Sequence, residues 1–143
     1  MLMNMKRMTF RAGFTLVELA VVIVIIGVLA AFAVPRFRKA VERSKAGEAF
    51  NYLAAVRSSQ ERYHSRASYY AENVTDLDIN LSTPKYFTVA ANATIDNTND
   101  TWSLSLTRIG PAGGYGNYEV VFNQDGYDAT TSNINADINP MVQ

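Results

Sequence analysis

Few residues in this 143-residue chain are able to do acid–base or metal chemistry. It has one histidine, His64, and no cysteine. Disulfides, zinc–thiolate sites, iron–sulfur clusters and cysteine nucleophiles are therefore excluded together. A two-histidine mechanism cannot be built from one chain. Neither a G-x-S-x-G elbow nor an HExxH pair occurs, and no triad can be assembled. Asp76-Leu-Asp78-Ile-Asn80 opens like a calcium loop, but an EF-hand needs Gly where Leu81 stands and Glu where Phe87 stands. The nine acidic residues after residue 66 read as a solvated face. Gly110–Gly116 is glycine-rich, yet no Lys-Ser/Thr and no helix start follow it. It reads as a mobile hairpin connection and not as a phosphate cradle. His64 is expected at a surface or an interface. These residues predict no catalytic site, no metal site and no cofactor. The one acid whose place demands a reason is Glu18, alone in an apolar run.

That run sets the architecture. Phe14 to Val34 (FTLVELAVVIVIIGVLAAFAV) holds 21 residues and a single charge. As a helix it spans about 30 Å, the thickness of a bilayer core. It is apolar on every side, unlike a helix lying on a soluble core. Lys6, Arg7 and Arg11 precede it and favour a cytoplasmic N-terminus. Residues 36–66 read as an amphipathic helix. Ala49, Leu53, Val56, Gln60 and Tyr63 recur on one face, widened by Phe50, while Glu42, Arg43, Lys45 and Glu48 are expected on a solvated face. Only Pro35 interrupts the stretch from Phe14 to Arg66, which would be about 80 Å long as one helix. Half of such a helix must project from any domain that this chain can form.

Residues 67–84 read as a loop. Three strand-like runs follow: Lys85–Ala91, Thr101–Ile109 and Tyr118–Phe122. Trp102, Leu104 and Leu106 share one face of the second run, and Tyr118, Val120 and Phe122 one face of the third. Asn97–Asp100, Gly110–Gly116 and Asn123–Gly126 are turn material, and the tail from Tyr127 reads as loosely packed. A sheet this small needs a cover, and the stripe on residues 49–63 supplies it. The expected fold class is α+β: a long N-terminal helix with a protruding apolar half, and a C-terminal half packed on a small antiparallel sheet.

Charge is sorted in the same way. Residues 1–13 carry +3, residues 14–35 carry −1, residues 36–66 carry +5 and residues 67–143 carry −7, so the net charge of zero is an average over opposites. The basic helix and the acidic remainder are able to pair within one chain or between stacked copies. A basic helix is also a route to DNA binding, but the overall charge gives that partner no support.

Gly13-Phe-Thr-Leu-Val-Glu18, with a basic leader before it and the apolar run behind it, resembles the class III signal of type IV pilins and pseudopilins. The resemblance is strong over residues 6–40 and architectural beyond. It implies that residues 1–13 are a leader, removed by a membrane-embedded prepilin peptidase that cuts between Gly13 and Phe14 and methylates the new N-terminus. Residues 14–35 would then be the transmembrane and filament-core helix, and residues 36–143 the head. It implies a homo-oligomeric helical filament, built by inner-membrane pilus assembly machinery from a membrane-stored precursor. In that family the glutamate neutralises the N-terminal amine of a neighbouring subunit, here Glu18 with the Phe14 amine. A carboxylate at mid-bilayer costs roughly 2.5–3.5 kcal/mol on insertion scales, so it needs such a partner. Gly27 and Pro35 bracket a stretch that loosens in assembled filaments of the family. Pro35 lacks the N–H that would reach Ala31, and Gly27 lowers helix propensity.

The chain departs from the family in two places. Many type IV pilins close a C-terminal loop with a disulfide, and this chain has no cysteine. The major pseudopilins of type II secretion usually carry an Asp-Pro-Trp-Gly-like segment, which is missing here. The expected product is a type IV pilus subunit, extracellular once assembled. The alternatives are a type II secretion pseudopilin and, in another class, a secreted or membrane-anchored binding domain. For the secreted form, Ala31-Phe-Ala33 would be a signal-peptidase site and Val34 the first residue.

Overall fold

A computed structural model describes residues 13–80, 82–96 and 98–142. The leader residues 1–12, with Lys6, Arg7 and Arg11, lie outside the described residues, as do Leu81 of the calcium-loop comparison and Asn97 of the turn at 97–100. Contacts divide the chain into two compact units, Met1–Arg36 and Phe37–Gln143.

One helix, α1, runs from Leu16 to Ala67. Its N-terminal part is long and apolar enough to cross a membrane. Every residue from Gly13 to Arg38 is exposed. Helix is assigned straight through Gly27 and Pro35. The helix ends where Ser68 turns into the left-handed region (φ 64°) and its N–H reaches the His64 carbonyl at 2.8 Å, which satisfies one of the last orphan carbonyls.

In the second unit α1 buries Ala46, Ala49, Phe50, Tyr52, Leu53 and Val56 against an antiparallel sheet. The strands are β1 (Phe87–Val89), β2 (Thr94–Asp96), β3 (Thr101–Arg108), β4 (Glu119–Asn123) and β5 (Gly126–Tyr127). The order is β1-β3-β4-β5, with β2 also paired to β3. β1 takes the Leu106–Arg108 end of β3 and β2 the Thr101–Ser103 end. Trp102, Leu104 and Leu106 face the core, as strict alternation requires. Phe50 of α1 meets Phe122 edge-on at 5.7 Å and Tyr127 at 5.1 Å between ring centroids. The polar member of the stripe, Gln60, is fully buried and exchanges both amide bonds with the Ala71 backbone (2.8 and 2.9 Å). A buried amide satisfied in this way costs little.

The structure corrects four expectations. Glu42 is not on a solvated face; it is 1% exposed and ion-paired. The tail is not loose. Ile138 is fully buried, Ser132 and Asn133 bond β4 backbone, and Asn139 reaches the Tyr127 hydroxyl at 3.1 Å. The Gly110–Gly116 connection is held rather than mobile, because Ala112 is buried and the Pro111 carbonyl accepts from Arg108. Within residues 67–84, Val74–Asp76 forms a short 3-10 helix, and Ala71 and Leu77 enter the core.

Candidate assembly site

The start of α1 is built by its own sequence. Thr15 and Glu18 form a reciprocal cap. The Thr15 hydroxyl accepts from the Glu18 N–H at 3.2 Å, and the Glu18 Oε2 accepts from the Thr15 N–H at 2.8 Å and from its hydroxyl at 2.7 Å. This is the capping box, Thr-x-x-Glu, which satisfies two orphan donors at a helix start and sets a negative charge against the positive end of the helix dipole. Both bonds from Thr15 use Oε2, so Oε1 is left to accept from something else. Glu18 is thus fixed at the first turn, four residues after the exposed Phe14. The sequence carried this signal, since Thr15-Leu-Val-Glu18 precedes an apolar run, but attention to Glu18 alone misses Thr15.

Gly13 and Gly27 have open space where a Cβ would stand. Among the described residues nothing requires glycine at either place. Around them the surface is apolar and uncovered: Leu16, Ile23, Ile26, Leu29 and Phe32 are each more than half exposed. Water is a poor solvent for such a surface, which needs lipid or another apolar helix against it.

The second constellation lies in the head. Arg108 ends β3 on the core side, in register with Trp102, Leu104 and Leu106. Its Nε donates to Glu42 Oε1 at 2.6 Å and its Nη2 to Oε2 at 3.1 Å. Nη2 also reaches the Pro111 carbonyl (2.9 Å), while Nη1 reaches the Tyr86 and Ile109 carbonyls. All five N–H groups of the guanidinium therefore have acceptors. Tyr118 donates to Glu42 Oε1 at 3.0 Å, and Lys45 sits 3.6 Å from Oε2. Burial opposes the Glu42 charge, but the Arg108 and Tyr118 hydrogen bonds and the nearby cations outweigh it and hold the carboxyl below its usual range. Burial, then the bond to Glu42, pushes the Tyr118 hydroxyl up. With every polar group occupied, this cluster ties α1, β1, β3 and the 110–116 connection together and leaves no group to do chemistry.

The remaining candidates are also structural. His64 stacks on Tyr70 (4.4 Å between centroids) and reaches Asp100 at 2.9 Å. Asp78 bonds Arg62 at 2.8 Å and accepts from the Ser59 hydroxyl, which hold it well below the carboxylate range. It faces a guanidinium, not a calcium ligand set. Among the described residues no three His, Asp or Glu side chains converge on a metal position. Lys39–Asp137 (2.7 Å) and Arg62–Asp78 pair the basic helix with the acidic remainder inside one chain.

Comparison with known proteins bears on the first constellation. Residues 8–34 match the prokaryotic N-terminal methylation motif. The chain is 35% identical over 89 residues to the type IV narrow pilus major component PilA5 of Thermus thermophilus, covering 62% of this chain and 73% of that protein. It is 42% identical over 65 residues to the type IV major pilin protein PilA of Myxococcus xanthus, which is 46% of this chain but only 30% of that protein's length. It is also 32% identical over 80 residues to the type II secretion system core protein G of Vibrio cholerae (56% of this chain, 55% of that protein). No solved structure gives a significant match.

Proposed function

The chain belongs to the type IV pilin family, and on that premise we propose that it is a precursor whose leader is removed after Gly13, whose Phe14 amine is methylated, and which polymerises into a pilus. The observation that carries this reading is the exposed apolar helix opening on the Thr15–Glu18 box directly behind Gly13-Phe14. Prepilin peptidase acts at Gly13, where the absent side chain lets a protease approach the backbone. Before assembly the 14–35 helix lies in the inner membrane. During assembly it passes to the filament core, where the same apolar surface meets other helices. The machinery that moves it is the inner-membrane pilus assembly system, and the final location is extracellular. The head, residues 36–143, is displayed outside.

Glu18 is the register device. Thr15 occupies Oε2, and Oε1 accepts from the Phe14 amine of a neighbouring subunit. Such a pair, desolvated together, sets alignment more than it adds stability. Gly27 and Pro35 are the places where α1 yields on packing, since glycine weakens the helix and proline removes a hydrogen bond.

A second reading follows from the likeness to the Vibrio core protein G: a pseudopilin of a type II secretion system. Deletion separates the two. A pilin deletion removes surface filaments seen by electron microscopy and leaves protein secretion intact. A secretion defect with unchanged filaments contradicts the pilus reading.

A further inference from the structure

We propose that a cleft in the head receives the Arg38 guanidinium of a second copy of this chain. Tyr63 and Tyr69 form two of its walls, at 75° and 5.7 Å between ring centroids, with their hydroxyls 3.5 Å apart. Glu72 and Asp76 line the same cleft, which encloses about 340 Å³. Both carboxylates are exposed, and neither forms an ion pair among the described residues. Asp78, Asp100 and Asp137 are already matched within the chain by Arg62, His64 and Lys39. Arg66 lies near Tyr63 and tempers the cleft's negative charge without pairing to either acid.

Two aromatic walls at an angle, with two carboxylates beside them, suit a planar cation that stacks and forks its hydrogen bonds. Guanidinium is that group, and an ammonium uses only part of the site. Arg38 is exposed and has no hydrogen-bond or ion-pair partner among the described residues. It cannot fold back to the cleft. At about 1.5 Å per residue, α1 carries Tyr63 about 38 Å beyond Arg38. A copy displaced along the helix axis by that distance brings its Arg38 level with this cleft. The inference rests on the filament reading, which supplies copies stacked along α1.

The absence of cysteine makes the test direct. A chain carrying Arg38→Cys and Asp76→Cys is assembled into filaments with a pilus assembly system, sheared off and treated with a short bismaleimide, whose arm replaces the lost reach of the arginine. The two thiols are too far apart to join within one chain. The expected result is a ladder of multimers on a denaturing gel, with each single variant remaining mainly monomeric. Filaments of the double variant that stay monomeric overturn the proposal. Should the cysteines themselves block assembly, Arg38→Glu alone is to lower filament yield severalfold, and Glu72→Arg with Asp76→Arg is to restore it. No restoration overturns the proposal equally. If the unaltered chain forms no filament in that system while a control pilin does, the filament reading falls first and the interface with it.

Discussion

At the scale of single residues, Glu18 has one observed role and one proposed one. With Thr15 it caps α1, and through Oε1 it remains free to meet an amine. Two substitutions divide them. Thr15→Ala removes the box at a cost of about 1 kcal/mol in helix stability but keeps the carboxylate, so filaments are expected to persist. Glu18→Ala removes both, and is expected to give a normally cleaved subunit and no filaments by electron microscopy. Filaments in normal number from Glu18→Ala contradict the register role. In the head, Glu42→Gln or Arg108→Met leaves one member of a buried, fully bonded pair without its counter-charge. Loss of about 3–5 kcal/mol is expected for either change, measured by urea unfolding of the detergent-solubilised chain. The double change Glu42→Leu with Arg108→Met is expected to recover most of it. Arg108 was missed in the sequence, although its signal was there, for it continues the alternation Trp102, Leu104, Leu106 onto the core face. A charge at that position demands a buried carboxylate. Which carboxylate was not legible, because Glu42 reads as part of a charged helix face until the 110–116 connection covers it.

At the scale of elements, α1 and the long strand β3 were readable because each repeats its apolar period over several turns or pairs. β2 and β5 were not, with three and two residues respectively. Elements that short take their form from β3 and β4, not from any period of their own. The tail hid for a related reason. Its packing rests on one fully buried apolar residue, Ile138, on the partly buried Tyr127 and Ile134, and on asparagine and serine bonds to β4, which together carry no periodic signal. Ile138→Ala is therefore expected to cost about 2–5 kcal/mol, as for a core position, where a loose tail would show almost no change in the same unfolding measurement. Three acids with depressed pKa values set the pH response. Asp128, held by the Thr130 and Thr131 hydroxyls and their backbone N–H groups, is brought down to about 2. Asp78 is depressed by Arg62 and Ser59, and Glu42 by Arg108 and Tyr118 against the pull of burial. A carboxyl depressed in the folded state stabilises above its unfolded pKa and loses that contribution as pH falls through the folded value. The head is thus expected to keep its stability from neutral pH down to about 4.3 and to lose it progressively below. An unfolding midpoint that is flat from pH 7 to 2 contradicts these assignments.

At the scale of the whole molecule, the net charge of zero and the mean hydropathy of −0.05 are averages over unlike parts. One part is a bilayer-length apolar helix whose residues from Gly13 to Arg38 are all exposed. The other is a head with its own core, built on a basic helix and an acidic remainder. Lys39–Asp137 and Arg62–Asp78 show some of that sorted charge pairing internally. In the proposed interface Arg38 meets Glu72 and Asp76 of a second copy. The proposed function turns on the exposed helix, and the N-terminus of the finished subunit tests it most directly. Filaments sheared from cells that make this chain with a pilus assembly system are to be analysed by N-terminal sequencing and intact mass. The account predicts a subunit that begins at Phe14 with a methylated amine and retains the whole apolar helix. A soluble exported protein that begins at Val34, with no filament, would contradict it.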